Sequence, residues 1–347
     1  MLRKKISEDK SLIETQSIKE TAEAELLQRP GVTGVDIGYK YVNGKKTDKI
    51  GIRVFVEKKK DVPKDEMIPE AIDSVETDVI QRKFIPQPLK VPVAESTPQA
   101  DTGNYSPLKG GISIGPCRVI DGHIYAGTLG ITVKDNATGN SMLLSNFHVM
   151  CVDDRWSVGD AMAQPSRIDS GNCPDDIVGT LSRASLGGQV DCAVALQTAR
   201  DQVCEVVDIG AVNGTESATM GISVRKRGRT TGLTFGTIDG LSGTFPIDYG
   251  NGLGTVTLTN QITIRADMTL NAKFSDHGDS GSVVVNDSGA VVGLLFAGDE
   301  DVTLVNPIQA VFSALDISIC SKSVEERLSA IEAKLSQLLA SESKRRS

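Results

Sequence analysis

Between residues 111 and 298 the chain is a succession of short apolar runs, "HIYAGTLGITV", "SMLLSNFHV", "DCAVALQ", "TFGTIDGL", "GTVTLTNQITIRA", "GSVVV" and "AVVGLLFAG", punctuated by Gly, Asn and Asp. Runs of this length, rich in β-branched residues and bounded by turn formers, make strands and leave no room for long helices. A mainly β barrel or sandwich of roughly 210 residues is therefore expected over residues 111–320.

Upstream the pattern changes. "DKSLIETQSIKETAEAELLQRPG" opens with Ser11 and Glu14 at capping-box spacing, sets Ile13, Ile18, Ala22 and Leu26 near helical intervals and stops at Pro30 and Gly31. One amphipathic helix is expected within residues 1–30. "GVDIGYKYVNGKKTDKIGIRVFVEKK" then alternates apolar and polar residues on both sides of Asn43-Gly44, a pair suited to a tight hairpin turn. With "MIPEAI" and "VETDVIQ" it forms a small α/β unit over residues 31–83. Residues 84–110 carry Pro86, Pro88, Pro92, Pro98 and Pro107 among small polar residues, the composition of a linker.

After Cys320, Val324, Leu328, Ile331, Leu335 and Leu338 alternate at spacings of four and three, the seam of a coiled-coil helix within residues 321–347. "RLSAIE" resembles a trimerisation pattern of short coiled coils, in which Arg327 covers the seam and meets Glu332 of a neighbour. A homo-oligomer, a trimer or a multiple of it, is expected through residues 324–339. A seam this short needs other contacts to hold chains together.

The formal net charge of −8 argues against a nucleic-acid partner. The basic start "MLRKK" is followed by no apolar stretch, and no run of about 18 apolar residues occurs, so no membrane partner and a soluble, cytoplasmic protein are expected. Six thinly spread cysteines favour reduced thiols under that reading. None has C-x-x-C spacing, so neither a metal nor another cofactor is expected. "GNGLGT" is no phosphate loop, because the strand-like "TVTLTN" follows it instead of a helix.

The stretch "FSDHGDSGSVVV" concentrates polar residues around glycines just before a strand. A serine hydroxyl attacks a carbonyl only when a base takes its proton, and the oxyanion that forms needs donors already in place. At Ser280 the backbone N–H groups of Gly278 and Ser280 can point into one concavity, and Gly278 supplies the backbone freedom this requires. "GDSGS" differs from G-x-S-x-G, because position 282 is Ser and a strand follows. The chain has three histidines. His123 reads as an exposed turn residue and His277 as a border of the substrate cleft. His148, at the end of the apolar run "SMLLSNFHVM", is the expected base. Asp191 interrupts the apolar strand "DCAVALQ", where an unpaired charge is costly, and is expected to orient that imidazole. Cys192 beside it reads as a buried thiol.

The order His148, Asp191, Ser280 and the "GDSGS" sequence resemble the chymotrypsin/trypsin-like serine proteases over about residues 110 to 320. "VRKRGRTTGLTFGTI" is similar to the streptogrisin-like bacterial branch, and with "GVTGVDIGYK" the whole chain resembles NARROW LEAF 1-like plant proteins and their bacterial relatives. The resemblance implies a trypsin-like double antiparallel β-barrel, with His148 and Asp191 on the first barrel, Ser280 on the second and the cleft between them. It implies that Asp279 pairs with an internal cation and so keeps the oxyanion hole formed without proteolytic activation. Lys226 aligns best with that cation, with Arg227 or Arg229 as substitutes. Extracellular members carry a cysteine directly after the histidine and another four residues before the serine, where this chain has Val149 and Asp276. Phe274 corresponds to the base of the primary substrate pocket, in place of the aspartate of an Arg/Lys-cleaving enzyme. Phe296, Ala297 and Gly298 match the pocket-wall strand that pairs with extended substrate. An apolar or small side chain before the cut is expected.

The resulting expectation is an intracellular serine endopeptidase that hydrolyses protein or peptide substrates through an acyl-enzyme. The alternative is a catalytically silent scaffold of the same fold that binds partner peptides in an oligomer. In a third arrangement the N-terminal unit gates the cleft.

Overall fold

The computed structural model describes residues 2–42, 45–64, 66–93, 101 and 103–320, with side chains from residue 12 onward. Residues 321–347, with the expected coiled-coil seam and trimer contacts, lie outside the described residues, as does the Asn43-Gly44 turn.

Two large antiparallel sheets carry the core. In the first, strands Ile131–Asp135, Ser141–Ser145, Val190–Gln197, Ile177–Gly187, Ala161–Ala163, Ile112–Pro116 and His123–Leu129 are neighbours in that order. In the second, Ser223–Gly228, Val283–Asn286, Val291–Asp299, Val302–Pro307, Thr255–Ala266 and Gly232–Asp248 pair in sequence, and the last pairs back onto the first. That closes a six-stranded ring and removes its edges. The chain is thus the mainly β double barrel expected of it. Each apolar run became a strand because its alternate side chains meet an interior: Ile238, Ile264, Val284 and Leu295 fill the second barrel, and Ile114, Leu143, Met162 and Ala195 the first. A third cluster, including Leu144, Val194, Val285 and Leu294, is capped by the helix Ile308–Leu315 and joins the barrels.

The N-terminal helix runs Leu2–Gln28, beginning well before the Ser11 capping signature. Residues 2–10 hold helix formers and neither Gly nor Pro, so the helix does not need Ser11 to start. Ile18, Ala22 and Leu26 pack on Val35, Ile52 and Val54, whereas Ile13 is exposed. The expected hairpin is present as Val32–Val42 against Lys45–Val56, but the unit does not stand apart. Its first strand pairs with Gly232–Asp248, with Val35 opposite Thr244 and Gly38 opposite Gly240, so the second barrel's sheet continues into it.

A buried cation holds this junction. Arg53 donates from Nε and Nη2 to Asp36 at 2.7 and 2.5 Å, and from Nη1 to Asp239 at 2.5 Å. All three side chains are buried. Burial disfavours the guanidinium charge, but the carboxylates of Asp36 and Asp239 outweigh it and raise its pKa above the ordinary value. Gly38 and Gly240 leave room for this side chain, since a Cβ at either would collide with the guanidinium.

The described pieces of the proline-rich segment pair with the barrels. Ile85–Pro86 pairs with Val291–Asp299, Leu89–Pro92 with His123–Leu129, and Leu108–Gly110 with Gln202–Val206. Proline takes part because each of these pieces lies on a strand edge, where one face of the backbone needs no ladder bond. Cysteine pairing also departs from the sequence reading: Cys117 is bonded to Cys173 and Cys204 to Cys320, while Cys151 and Cys192 are free and buried. Separations of 56 and 116 residues hide such pairs from a search of spacings. Among the described residues no helix is long and apolar enough to cross a membrane.

Replacing Arg53 by Ala leaves buried Asp36 without its cation and Asp239 with Arg265 alone, at 3.4 Å, and the expected loss is about 3–5 kcal/mol. Arg53→Lys should also lose stability, because one ammonium cannot reproduce a planar fork to two acids. Urea unfolding of the three chains checks this, and an unchanged Arg53→Ala midpoint would contradict it.

Candidate active site

The first barrel supplies the imidazole and the carboxylate. The strand Ser141–Ser145 ends before His148, which sits on the single helical turn Phe147–Met150 and not on the strand itself. Asp191 lies on Val190–Gln197 with no exposed surface. Its Oδ1 accepts the His148 backbone N–H at 3.2 Å and its Oδ2 lies 2.5 Å from His148 Nδ1. A carboxylate accepts only, so in the neutral ring Nδ1 carries the proton and Nε2 is left with its lone pair. Among the described residues, buried Nε2 has no hydrogen-bond partner.

Three residues not singled out from the sequence hold this pair. Asn146 Nδ2 donates to the Asp191 carbonyl at 2.7 Å, and the Asp191 N–H donates to Asn306 Oδ1 at 3.1 Å. The ring of Tyr249 lies 5.8 Å from the His148 ring. Burial, followed by the Asp191 charge, pushes the Tyr249 hydroxyl well above its ordinary range. Asn146 and Asn306 interrupt apolar runs as Asp191 does, which was the available signal.

The second barrel supplies Ser280, which is fully buried and whose Oγ donates to the Phe296 carbonyl at 3.1 Å. The loop before it is fixed at both ends: Thr128 Oγ1 donates to the Gly278 carbonyl at 2.9 Å, and the Thr128 N–H donates to the Ser280 carbonyl at 2.8 Å. Gly278 and Gly281 have φ of +99° and +95°, in the left-handed region that favours glycine. A Cβ on Gly281 would also strike Ser145 and Thr128.

Asp279 is the hub beneath this loop. It accepts from the N–H groups of Thr230 at 2.8 Å, Thr231 at 3.1 Å and Asp276 at 3.0 Å, and from Thr231 Oγ1 at 2.6 Å. The Lys226 ammonium lies 3.2 Å from its Oδ2, with both side chains fully buried. Burial, opposed by Asp279, pulls the Lys226 pKa below its usual value. The two arginines are engaged elsewhere, Arg227 with Asp101 and Arg229 with Asp169 of the first barrel at 2.5 Å.

The expected pocket residues divide. Phe274 is not at a pocket base: its ring packs in the second barrel with Ile238, Ile264 and Leu295. The adjacent Ser275 points the other way and donates to Gln87 Oε1 at 2.8 Å, with Thr303 Oγ1 2.7 Å from the same hydroxyl. His277 is exposed and His123 is half-buried. Phe296 packs with Phe55, Phe84 and Phe245, while its carbonyl faces the serine. Ala297 is opposite Pro86 and Gly298 opposite Ile85 in the antiparallel pairing. The Gln87 N–H donates to the Phe296 carbonyl at 3.3 Å, and the Gly278 N–H donates to the Gln87 carbonyl at 2.7 Å. Among the described residues no group of three or more His, Cys, Asp or Glu is placed to hold a metal.

No protein-family model and no curated protein matches the chain. Among solved structures it is similar to Thermobifida fusca protease A, at 21% identity over 62% of this chain and 98% of that one, with a TM-score of 0.46. It is similar to a Nocardiopsis protease at 18% identity, over 61% of this chain and 98% of that one, with a TM-score of 0.45. The corresponding figures for Cellulomonas bogoriensis chymotrypsin are 21%, 62%, 98% and 0.43. These neighbours are chymotrypsin/trypsin-like serine proteases.

Removing the Lys226 amine leaves Asp279 buried and uncompensated, so Lys226→Ala is expected to lose about 3–5 kcal/mol, while Arg227→Ala, on a partly exposed pair, should lose less. Denaturation midpoints of both variants decide this. Equal losses would contradict the assignment of Lys226 as the cation of Asp279.

Proposed function

We propose that the chain is a serine endopeptidase in which Ser280 attacks a peptide carbonyl, His148 takes and returns the proton, and Asp191 fixes the imidazole. The observation that carries this reading is the Asp191–His148 hydrogen bond, which leaves Nε2 as a bare acceptor in a buried site. In the reaction Ser280 Oγ turns from the Phe296 carbonyl to Nε2, bonds to the substrate carbonyl carbon and gives up its proton. The N–H groups of Gly278 and Ser280 hold the oxyanion, and Asp279 with Lys226 supports their loop. The imidazolium then protonates the leaving amine, and water cleaves the ester by the same route. The narrower likeness to NARROW LEAF 1-like proteins is part of the proposal and rests on the motifs alone.

Residues 85–89 lie beside Ser280, so the test uses the full chain and a chain with 85–89 replaced by Gly-Ser-Gly-Ser-Gly. A fluorophosphonate is expected to add once, at Ser280, in at least one of them. Ser280→Ala should abolish the adduct, and either Ser280→Ala or His148→Ala should reduce peptide turnover by about a millionfold. Absence of label from both chains would contradict the reading.

A further inference from the structure

We propose, resting on the serine-protease reading, that residues 85–89 lie across the cleft as a tethered, uncut peptide, and that glutamine is the side chain the primary pocket selects. The backbone carries the first part. Ile85 and Pro86 pair with Gly298 and Ala297 of the second barrel, and Leu89 pairs with Ala126 of the first, so the segment crosses the groove from one barrel to the other. Between these anchors, the Gln87 N–H donates to Phe296 and its carbonyl oxygen accepts from Gly278, the amide assigned to the oxyanion. An extended peptide added antiparallel to an exposed strand, with one carbonyl on the oxyanion donor, is the arrangement of a substrate at the point of attack.

The side chain carries the second part. Gln87 is 7% exposed, and its Oε1 accepts from Ser275, itself bonded to Thr303. Gly298 makes the room, since a Cβ there would lie 2.7 Å from Gln87 Nε2. Hydroxyl groups match a neutral amide. A glutamate would bury a charge against uncharged partners, and a leucine would take away the acceptor to which the Ser275 hydroxyl donates.

The segment is built to stay. Phe84, immediately before it, is wedged between Phe55 and Phe245 at centroid distances of 5.3 and 5.1 Å. Pro86, Pro88 and Pro92 restrict the unbound chain and lower the entropy lost on docking. The bond after Gln87 leads to Pro88, whose nitrogen bears a ring carbon where another residue bears hydrogen. His148 must deliver its proton to that nitrogen for the C–N bond to break, and the ring obstructs the approach. A tethered occupant also competes at a high effective concentration with any peptide in solution.

The replacement chain is expected to label with fluorophosphonate on the order of tenfold faster than the full chain, or more, because its cleft is open. On that chain, peptides with glutamine before the cut should exceed matched leucine and glutamate peptides in kcat/KM by roughly 10- to 100-fold, and Ser275→Ala should shrink the ratio. In full-length Pro88→Ala, Ser280 Oγ should bond to the Gln87 carbonyl carbon as the bond to the position-88 nitrogen breaks. The serine proton reaches that nitrogen through His148, and water then releases a fragment ending in the Gln87 carboxylate, visible by mass spectrometry and absent when Ser280→Ala is added. Equal labelling of the full and replacement chains, or no preference for glutamine, would overturn this proposal and leave the serine-protease reading intact. No label on either chain would remove both.

Discussion

A carboxylate without contact with water, Asp191, is the constraint on which the site depends. Such a charge is tolerated only when its lone pairs are met, and the structure meets them with the His148 ring and backbone N–H, both on the turn after a neighbouring strand. The same bond fixes which ring nitrogen carries hydrogen. Fold stability and the proposed chemistry therefore draw on one interaction: what satisfies the buried acid also leaves Nε2 without a partner among the described residues.

Buried cations organise the surroundings in the same manner. Arg53 ties the N-terminal sheet to the second barrel through Asp36 and Asp239, Arg229 ties the second barrel to Asp169 of the first, and Lys226 lies under the Ser280 loop against Asp279. Apart from Arg53 and Asp36, which face each other within the hairpin, each pair joins segments far apart in the chain. Removing one partner from such a pair is expensive, even where the intact pair adds little net stability over an apolar replacement. Their use here is geometric: they fix how the two barrels and the loop between Asp276 and Ser280 sit with respect to each other.

Much of this was legible in the sequence, and the reasons are local. The strands Thr255–Ala266 and Val291–Asp299 announce themselves by composition, and Asp191 by being a charge within an apolar run. The same signal was present at Asp36 and Arg53, which face each other across the expected hairpin, and at Asn146, Asn306 and Asp239, whose partners lie in distant segments and are invisible to periodicity. Phe274 packs in the second barrel while its neighbour Ser275 bonds Gln87, and which of two adjacent side chains turns inward at a bend is not carried by local composition. The segment 84–110 has the composition of a linker because proline breaks regular structure. What it pairs with is the edge of two barrels whose strands come from later in the chain, and no local pattern encodes that.

The most direct test is the protonation of the His148 ring in the folded full chain. With only three histidines in the sequence, nitrogen-15 NMR of histidine-labelled protein, assigned by His148→Gln, resolves it. The neutral ring should carry its hydrogen on Nδ1, strongly hydrogen-bonded, and Asp191→Asn should shift the balance towards Nε2. A neutral ring with hydrogen on Nε2 in the unaltered chain, or one indifferent to Asp191→Asn, would contradict the account at its centre.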